Sequence, residues 1–466
     1  MGDIQSSLKG YLSFVSRSAF FSAKGLLVRK IKYGRAFRQA LQELEHNQWL
    51  DAEKLRRHQN AKLQRLIQHA AIHVPYYREQ FRKLGLEPED IQNADDLKQL
   101  PILDKTTLRE RHAEFVAATI NPRLLSPGWT TGSTGTPINA LRTPQSIAIE
   151  SAAIWRQRRW AGVSHNDRKA AVWGTIWDNV IMPASLNTGP YWRYNWAEKQ
   201  LLLSYYHMSD DTLPQYFDKL AEFRPSFIEG FPSTMVTLAR FLRRHNRFFP
   251  VKAIFTSSEP LYTTHRAEIE ERFQTKVYDH YGQAERVAAA FECPQHNGLH
   301  VDPDYGILEV IQDNRDVAPG ETGEIIGTGL NNLAMPLIRY KTGDLATLAR
   351  NPCTCGRHTP VIETIEGRLA DLIVTPDGRT IPGNGIMGAF HDLENVSRTQ
   401  VVQEQRTTLD VYLEVEEPQL PVNVERLRSN LQACLGNSLE IRIHTVDRIS
   451  ANGRKFRWMV SKLPHD

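Results

Sequence analysis

Between Thr130 and Pro137 the chain reads Thr-Thr-Gly-Ser-Thr-Gly-Thr-Pro. Gly132 and Gly135 admit backbone angles that other residues resist, so several N–H groups can turn toward one point. The hydroxyls of Thr130, Thr131, Ser133 and Thr134 add further donors. Such a loop suits a polyphosphate, with Mg²⁺ balancing the charge. No Gly-Lys-Ser/Thr follows, so it is not a Walker loop. Read alone, the same composition also fits a Ser/Thr/Gly linker. Downstream, Tyr281-Gly282-Gln283-Ala284-Glu285 follows a strand-like run. That puts Glu285 at a strand end, where ligands bind in α/β sheets, and its carboxylate offers oxygen ligation to Mg²⁺. Arg339-Tyr340-Lys341-Thr342-Gly343-Asp344 presents Asp344 at a turn, suited to accept hydrogen bonds from two ribose hydroxyls. Gly367-Arg368-Leu369-Ala370-Asp371 and Gly453-Arg454-Lys455-Phe456-Arg457 follow. Singly, these pieces also read as a capping Glu, a turn Asp, a surface Arg and a solvated basic tail.

A second constellation is Cys293, His300, Cys353 and Cys355. Three thiolates and one imidazole complete a tetrahedral zinc site with no open position, so the expected role is structural. The other reading is one buried cysteine and two turn cysteines. Six tryptophans fall between 155 and 196, namely Trp155, Trp160, Trp173, Trp177, Trp192 and Trp196. With Tyr205, Tyr206 and Phe231 they fit an aromatic acyl pocket or, as is commoner for buried rings, a core. His165, His207 and His280 read as structural, His280 being the best placed for a site.

The elements that must position these residues alternate. Short apolar runs at Ala170–Trp173, Ser226–Glu229, Ala253–Phe255 and Val277–His280 read as strands. Helical spacing is expected over 144–161, 211–222, 233–246 and 262–273. This alternation argues α/β layering. Residues 36–70 read as helix, broken at Pro75, and 306–350 as β-rich. A boundary near 367 divides an N-terminal domain (1–366, with a helical extension over 1–60) from a small α+β domain (367–466). In the latter, strands are expected at Ala370–Thr375, Val396–Gln403, Thr408–Val415 and 439–446, with a helix at 421–435.

The 466 residues carry a net charge of +4, with 41% hydrophobic and 24% charged residues. That is ordinary for a globular protein, and without a basic stripe or recognition motif it argues against nucleic acid. Four cysteines are too few for a disulfide scaffold and suit a reducing cytoplasm. No apolar run is long enough to span a bilayer. Leu8 to Phe37 mixes aromatic and aliphatic residues with Lys and Arg and holds no acid. A helix there either docks on its own domain or makes peripheral contact with a membrane.

Taken in order, the motifs resemble the adenylate-forming (acyl-CoA synthetase, ANL) superfamily. His73–Arg78, Leu100–Lys105, Glu229–Ser233, Thr256–Leu261 and Met335–Asp344 resemble its phenylacetate–CoA ligase-like branch, especially the CapK-type members of capsular-polysaccharide biosynthesis. The resemblance implies a large α/β domain with layered sheets and a small mobile α+β C-terminal domain. It implies that Thr130 to Gly135 wrap the β- and γ-phosphates of ATP and that Glu285 binds Mg²⁺. Tyr281, Gly282, Ser258, Glu259 and Pro260 would border the adenine and acyl pocket. Asp344 would hold the ribose, assisted by Arg368 near the hinge, and Lys455 would reach the carboxylate and α-phosphate. Some members of the branch also carry a similar Cys/His pattern.

The activity implied is adenylation of a small carboxylic acid followed by acyl transfer to CoA. Alternatives keep the adenylation and deliver the acyl group to an amine, a hydroxyl or a carrier protein, transfer AMP itself to a hydroxyl, or bind nucleotide without turnover. The sequence departs from the superfamily's pattern in three places. Ile138 follows Pro137 where many members have Lys. Ala370 stands where many acyl-CoA synthetases have the hinge Asp. The lysine motif reads Gly-Arg-Lys, which favours Lys455 over Arg454, since a compact ammonium is not replaced by a guanidinium.

Overall fold

In the computed structural model the described residues run from 18 to 463, leaving out 21, 24, 27–28, 31, 129–137, 173–189, 205–207, 209, 369–371, 377–379, 383–385, 387–388, 391–392, 418 and 450–458. The helices are α1 (Arg35–Asn47), α2 (Ala52–His73), α3 (Pro75–Leu84), α4 (Lys105–Glu110), α5 (Pro144–Trp160), α6 (Leu213–Phe223), α7 (Pro232–Arg244), α8 (Thr263–Phe273) and α9 (Val424–Leu435). The expected single helix over 36–70 is therefore two. Asn47 to Leu50 turn the chain, and Asp51 accepts a hydrogen bond from the Lys54 amide to start α2 afresh. Thr143 and Asp104 cap α5 and α4 in the same way.

The parallel strands are β1 (Lys169–Val172), β3 (Gln200–Leu203), β4 (Phe227–Gly230), β5 (Ala253–Ser257) and β6 (Val277–Gly282), with β2 (Trp192–Asn195) antiparallel at the edge. Beyond β6 the sheet turns antiparallel through β7 (Ala289–Glu292), β8 (Leu299–Val301), β13 (Val361–Arg368), β12 (Tyr340–Leu348), β11 (Thr322–Gly329), β9 (Gly306–Gln312) and β10 (Arg315–Asp316). The expected β-rich character of 306–350 lies here.

Period-two alternation sorts the parallel strands. Ile228, Ile254 and Val277 face a core shared with α6, α7 and α8. Phe227, Phe255 and Tyr278 face the other way, against α1 and α5. Both faces of this half are thus covered, which is why its strands read as short continuous apolar runs. Trp155 belongs to the second core and Trp192 packs on the first, while Trp196 is exposed. These three rings therefore do not surround one pocket. Trp173, Trp177, Tyr205, Tyr206 and His207 lie outside the described residues.

The smaller C-terminal domain has its own sheet, ordered β18-β17-β16-β19, from β16 (Val396–Gln405), β17 (Thr408–Val415), β18 (Glu440–Val446) and β19 (Met459–Ser461). Leu427, Leu431 and Leu435 of α9 pack on Val401, Leu409, Val411, Leu413 and Met459. A hairpin of β14 (Leu372–Val374) and β15 (Thr380–Pro382) precedes it. Arg244, at the end of α7, ties the two domains by donating to Glu416 at 3.0 Å. Among the described residues no helix is long and apolar enough to cross a membrane.

Candidate active site

Several of the expected residues stand at the end of β6 or pair with residues there. Tyr281 sits at the end of β6, and its hydroxyl donates to Asp344 Oδ2 at 2.7 Å. Burial and the Asp344 carboxylate hold the phenol well above its usual range, so it stays a donor. Asp344 lies in β12, where its backbone is further set by an N–H bond to Thr342 Oγ1 at 3.1 Å. Arg368 is its register partner across β12 and β13. Glu285 follows β6 in a tight turn closed by Arg286 N–H to Gln283 O at 3.1 Å, with Arg286 in the left-handed region. Tyr340, only 1% exposed, donates its hydroxyl to Glu285 Oε1 at 2.8 Å. A buried bidentate pair between Arg339 and Glu309 (2.9 and 3.2 Å) fixes the start of β12, and with it Tyr340.

The stem of the Thr130–Gly135 loop is described, while the loop itself lies outside the described residues. Ser126 and Arg142 exchange two backbone hydrogen bonds, both 2.9 Å, and Ala140 N–H bonds Gly128 O at 2.9 Å. The two chain segments entering and leaving the loop are therefore pinned side by side. From this stem Arg142 donates to the Ala284 carbonyl at 2.5 Å, one residue before Glu285. Gly128 is required beneath it, because a Cβ there would fall 2.1 Å from the Arg142 guanidinium carbon.

Ser258 follows β5 with φ +71°, exposed at the same sheet end. Glu259 accepts the Ser233 amide at 3.1 Å, in the first turn of α7, where a carboxylate is favoured by the unpaired N–H groups. Pro260 follows Glu259, and Gly282 follows Tyr281. Lys455 lies outside the described residues, as does Ala370. His280 stacks on Phe291 (5.7 Å, 22°), and burial pushes its imidazole down to about 3, so it is neutral. His165 stacks on Tyr33. Arg142 and Tyr340 had no role in the sequence reading. Tyr340 stood inside a quoted motif, but nothing in the linear order linked either residue to Glu285.

Farther along the antiparallel strands, Cys293 directly follows β7, β8 carries His300, and the turn between β12 and β13 carries Cys353 and Cys355. Their ligand atoms all lie within 4.8 Å of one another. Cys293 Sγ is 3.7 Å from Cys353 Sγ, and Cys355 Sγ is 3.3 Å from His300 Nε2. Thr359 Oγ1 holds the other ring nitrogen of His300 at 2.9 Å, the kind of outer contact that orients a metal-binding imidazole. The donor set of three sulfurs and one nitrogen fits a tetrahedral divalent ion.

This fold, a large α/β domain ending in a small α+β unit, is shared with solved CoA ligases. It matches the 2-hydroxyisobutyryl-CoA ligase solved in its postadenylation state with 2-HIB-AMP at a TM-score of 0.71, with 20% identity, covering 90% of this chain and 92% of that one. Against the same enzyme in its thioesterification state the TM-score is 0.55. The CapK C-terminal domain family model matches residues 373–462. Protein CapK of Staphylococcus aureus is 25% identical over 457 residues, covering 96% of this chain and 97% of its own length. The phenylacetate-coenzyme A ligase of Thermus thermophilus is 27% identical over 380 residues, covering 79% and 83%. Over most of its length the chain is thus similar to CapK and to the phenylacetate-coenzyme A ligases, and its C-terminal unit matches the CapK C-terminal domain.

Proposed function

We propose that the protein activates a carboxylic acid with ATP and passes the acyl group to coenzyme A. A carboxylate oxygen bonds to the α-phosphorus as the bond to pyrophosphate breaks. The acceptor's sulfur then bonds to the acyl carbon and AMP leaves. The first step brings two anions together, so its barrier falls with charge neutralisation and positioning rather than with a protein nucleophile.

In this reading Thr130, Thr131, Gly132, Ser133, Thr134 and Gly135 wrap the β- and γ-phosphates. Glu285 holds Mg²⁺, whose charge when bound offsets that of the phosphates. Asp344, oriented by Tyr281, takes the ribose hydroxyls, with Arg368 beside it. Tyr281, Gly282, Ser258, Glu259 and Pro260 border the adenine and acyl groups. Lys455 is carried to the α-phosphate by the small domain, taken as residues 367–466, whose closure also keeps water from the acyl adenylate. Cys293, His300, Cys353 and Cys355 hold a structural zinc that braces the strands leaving the site.

The observation that carries this reading is the Arg142 bond to the Ala284 carbonyl, which joins the stem of the Thr130–Gly135 loop to the Glu285 turn. A second reading keeps the adenylation but gives the acyl group to an amine, hydroxyl or carrier protein. It rests on Ala370, which replaces the hinge Asp of many CoA-using relatives.

The test is pyrophosphate and hydroxamate formation with ATP, Mg²⁺, hydroxylamine and a panel of carboxylic acids. Acid-dependent release that Lys455→Ala nearly abolishes is the expected result. A broad panel without any acid-dependent release would sink the proposal. Repeating the assay with CoA, amines or sugars in place of hydroxylamine separates the acceptors.

A further inference from the structure

Between Ile4 and Gln42 the chain holds eight lysines and arginines and no aspartate or glutamate. The described residues among 18–20, 22–23, 25–26 and 29–30 are all helical. An ordinary amphipathic helix buries its apolar stripe. Here the described residues that meet the protein are small or polar. Ser18 Oγ accepts the Tyr194 amide at 3.4 Å and Ser22 Oγ the Trp196 amide at 3.1 Å. Gly25 lies against Asn195, where an added Cβ would come within 2.4 Å of its Oδ1. Arg29 donates to the Ala197 carbonyl, and Tyr33, just beyond, to Glu198 at 3.0 Å. Residues 18, 22, 25 and 29 form one helical stripe, and all of it is spent on the segment running from β2 toward β3.

The adjoining stripe, 19, 23, 26 and 30, is exposed, as is Phe20. Leu26 is 61% and Phe20 63% exposed. Docking on its own domain therefore does not use up Phe20 and Leu26. It leaves them outward, in a stretch of sequence rich in positive charge and free of acid.

We propose that this face seats the protein on an anionic lipid surface. Apolar side chains enter the boundary between headgroups and acyl chains, and the lysines and arginines meet the lipid phosphates. A membrane of negative surface charge is the occupant that matches both properties at once. The acid-free stretch would gain little from a neutral bilayer, and against a second copy of itself it would repel.

The experiment is flotation of the full chain with vesicles of phosphatidylcholine alone or of phosphatidylcholine mixed with phosphatidylglycerol. The expected result is co-flotation with the mixed vesicles only, weakening as salt is raised. Phe20→Ser/Leu26→Ser should reduce the bound-to-free ratio about tenfold with unchanged circular dichroism and unfolding temperature, as two lost apolar anchors imply. Lys30→Glu, which leaves the apolar residues in place, should lower binding to the mixed vesicles and flatten its salt dependence. The proposal is overturned if the wild type stays free of the mixed vesicles, or if Phe20→Ser/Leu26→Ser floats as well as wild type. It is also overturned if the wild type forms a concentration-dependent dimer that the double substitution abolishes, since the face would then be covered by a second copy.

Discussion

Stripping metal with a strong chelator is expected to lower the unfolding temperature of the large domain, and the cysteine cluster says by how much. Zn–S bonds of about 2.3 Å at tetrahedral angles put two sulfurs about 3.8 Å apart. Cys293 and Cys353 stand at 3.7 Å with both side chains buried. The ligands are thus already gathered, and little reorganisation opposes loading. An ion held at a thousandfold excess over its dissociation constant stabilises the folded form by about 4 kcal/mol. Spread over the unfolding entropy of a domain this size, that is roughly 5 °C. Calorimetry before and after chelation, paired with metal analysis of protein purified without added zinc, makes the measurement. Cys355→Ser should reproduce the chelated curve and no longer respond to chelator. Well under one zinc per chain in the untreated protein, or identical unfolding curves with and without chelator, would refute the reasoning.

Three further outcomes are expected. Burial raises the Asp279 carboxyl from 3.8 to about 8, although Thr256 donates to it at 2.7 Å. A folded-state value above the unfolded one means that this contribution is complete below pH 4 and is lost as pH rises through 8. Asp279→Asn should therefore flatten the fall in unfolding temperature between pH 6 and pH 9, and a fall as steep as wild type would remove Asp279 as its cause. Tyr340→Phe removes the donor to Glu285, a charge-assisted bond worth about 1.5–3 kcal/mol. The apparent Mg²⁺ requirement for pyrophosphate release should rise at least about tenfold, and an unchanged requirement would separate Tyr340 from the metal. Gly128→Ala displaces the Arg142 guanidinium. Because that group can swing aside, stability should change little while hydroxamate formation falls about tenfold or more; wild-type activity would deny the Ala284 tie a role.

Much of the architecture was legible because its signals are local. The helices α5 to α8 begin and end within two residues of their expected bounds, since Thr143 before Pro144, and Pro232 at the start of α7, mark helix starts in the sequence itself. The parallel strands β1, β4, β5 and β6 announced themselves as apolar runs. Strands β2 and β3 did not. Each has four residues, and Trp192 read as readily as a pocket or a core ring. The strand character of β3 comes from pairing with β1, which is a long-range fact, and that of β2 from pairing with β3. The same limit applied at the site. Glu285 and Asp344 could be picked out by type and position, but the phenols that orient them could not. Tyr281 reaches Asp344 across 63 positions and Tyr340 reaches Glu285 across 55. The cysteine cluster, by contrast, was readable because its residue types are rare enough to be matched by count alone.

The large sheet ends at β2 on one side and at the two-residue, charged β10 on the other. An open strand edge with idle amides is a template for stray pairing between molecules. At β2 and just beyond it, the amides of Tyr194 and Trp196 are engaged by two serine hydroxyls one helical turn apart. Shortening the chain from its beginning through Ser22 would strip both caps at once. Such a variant should retain its core but grow prone to sheet-to-sheet aggregation, so the first helical segment also acts as a guard on solubility.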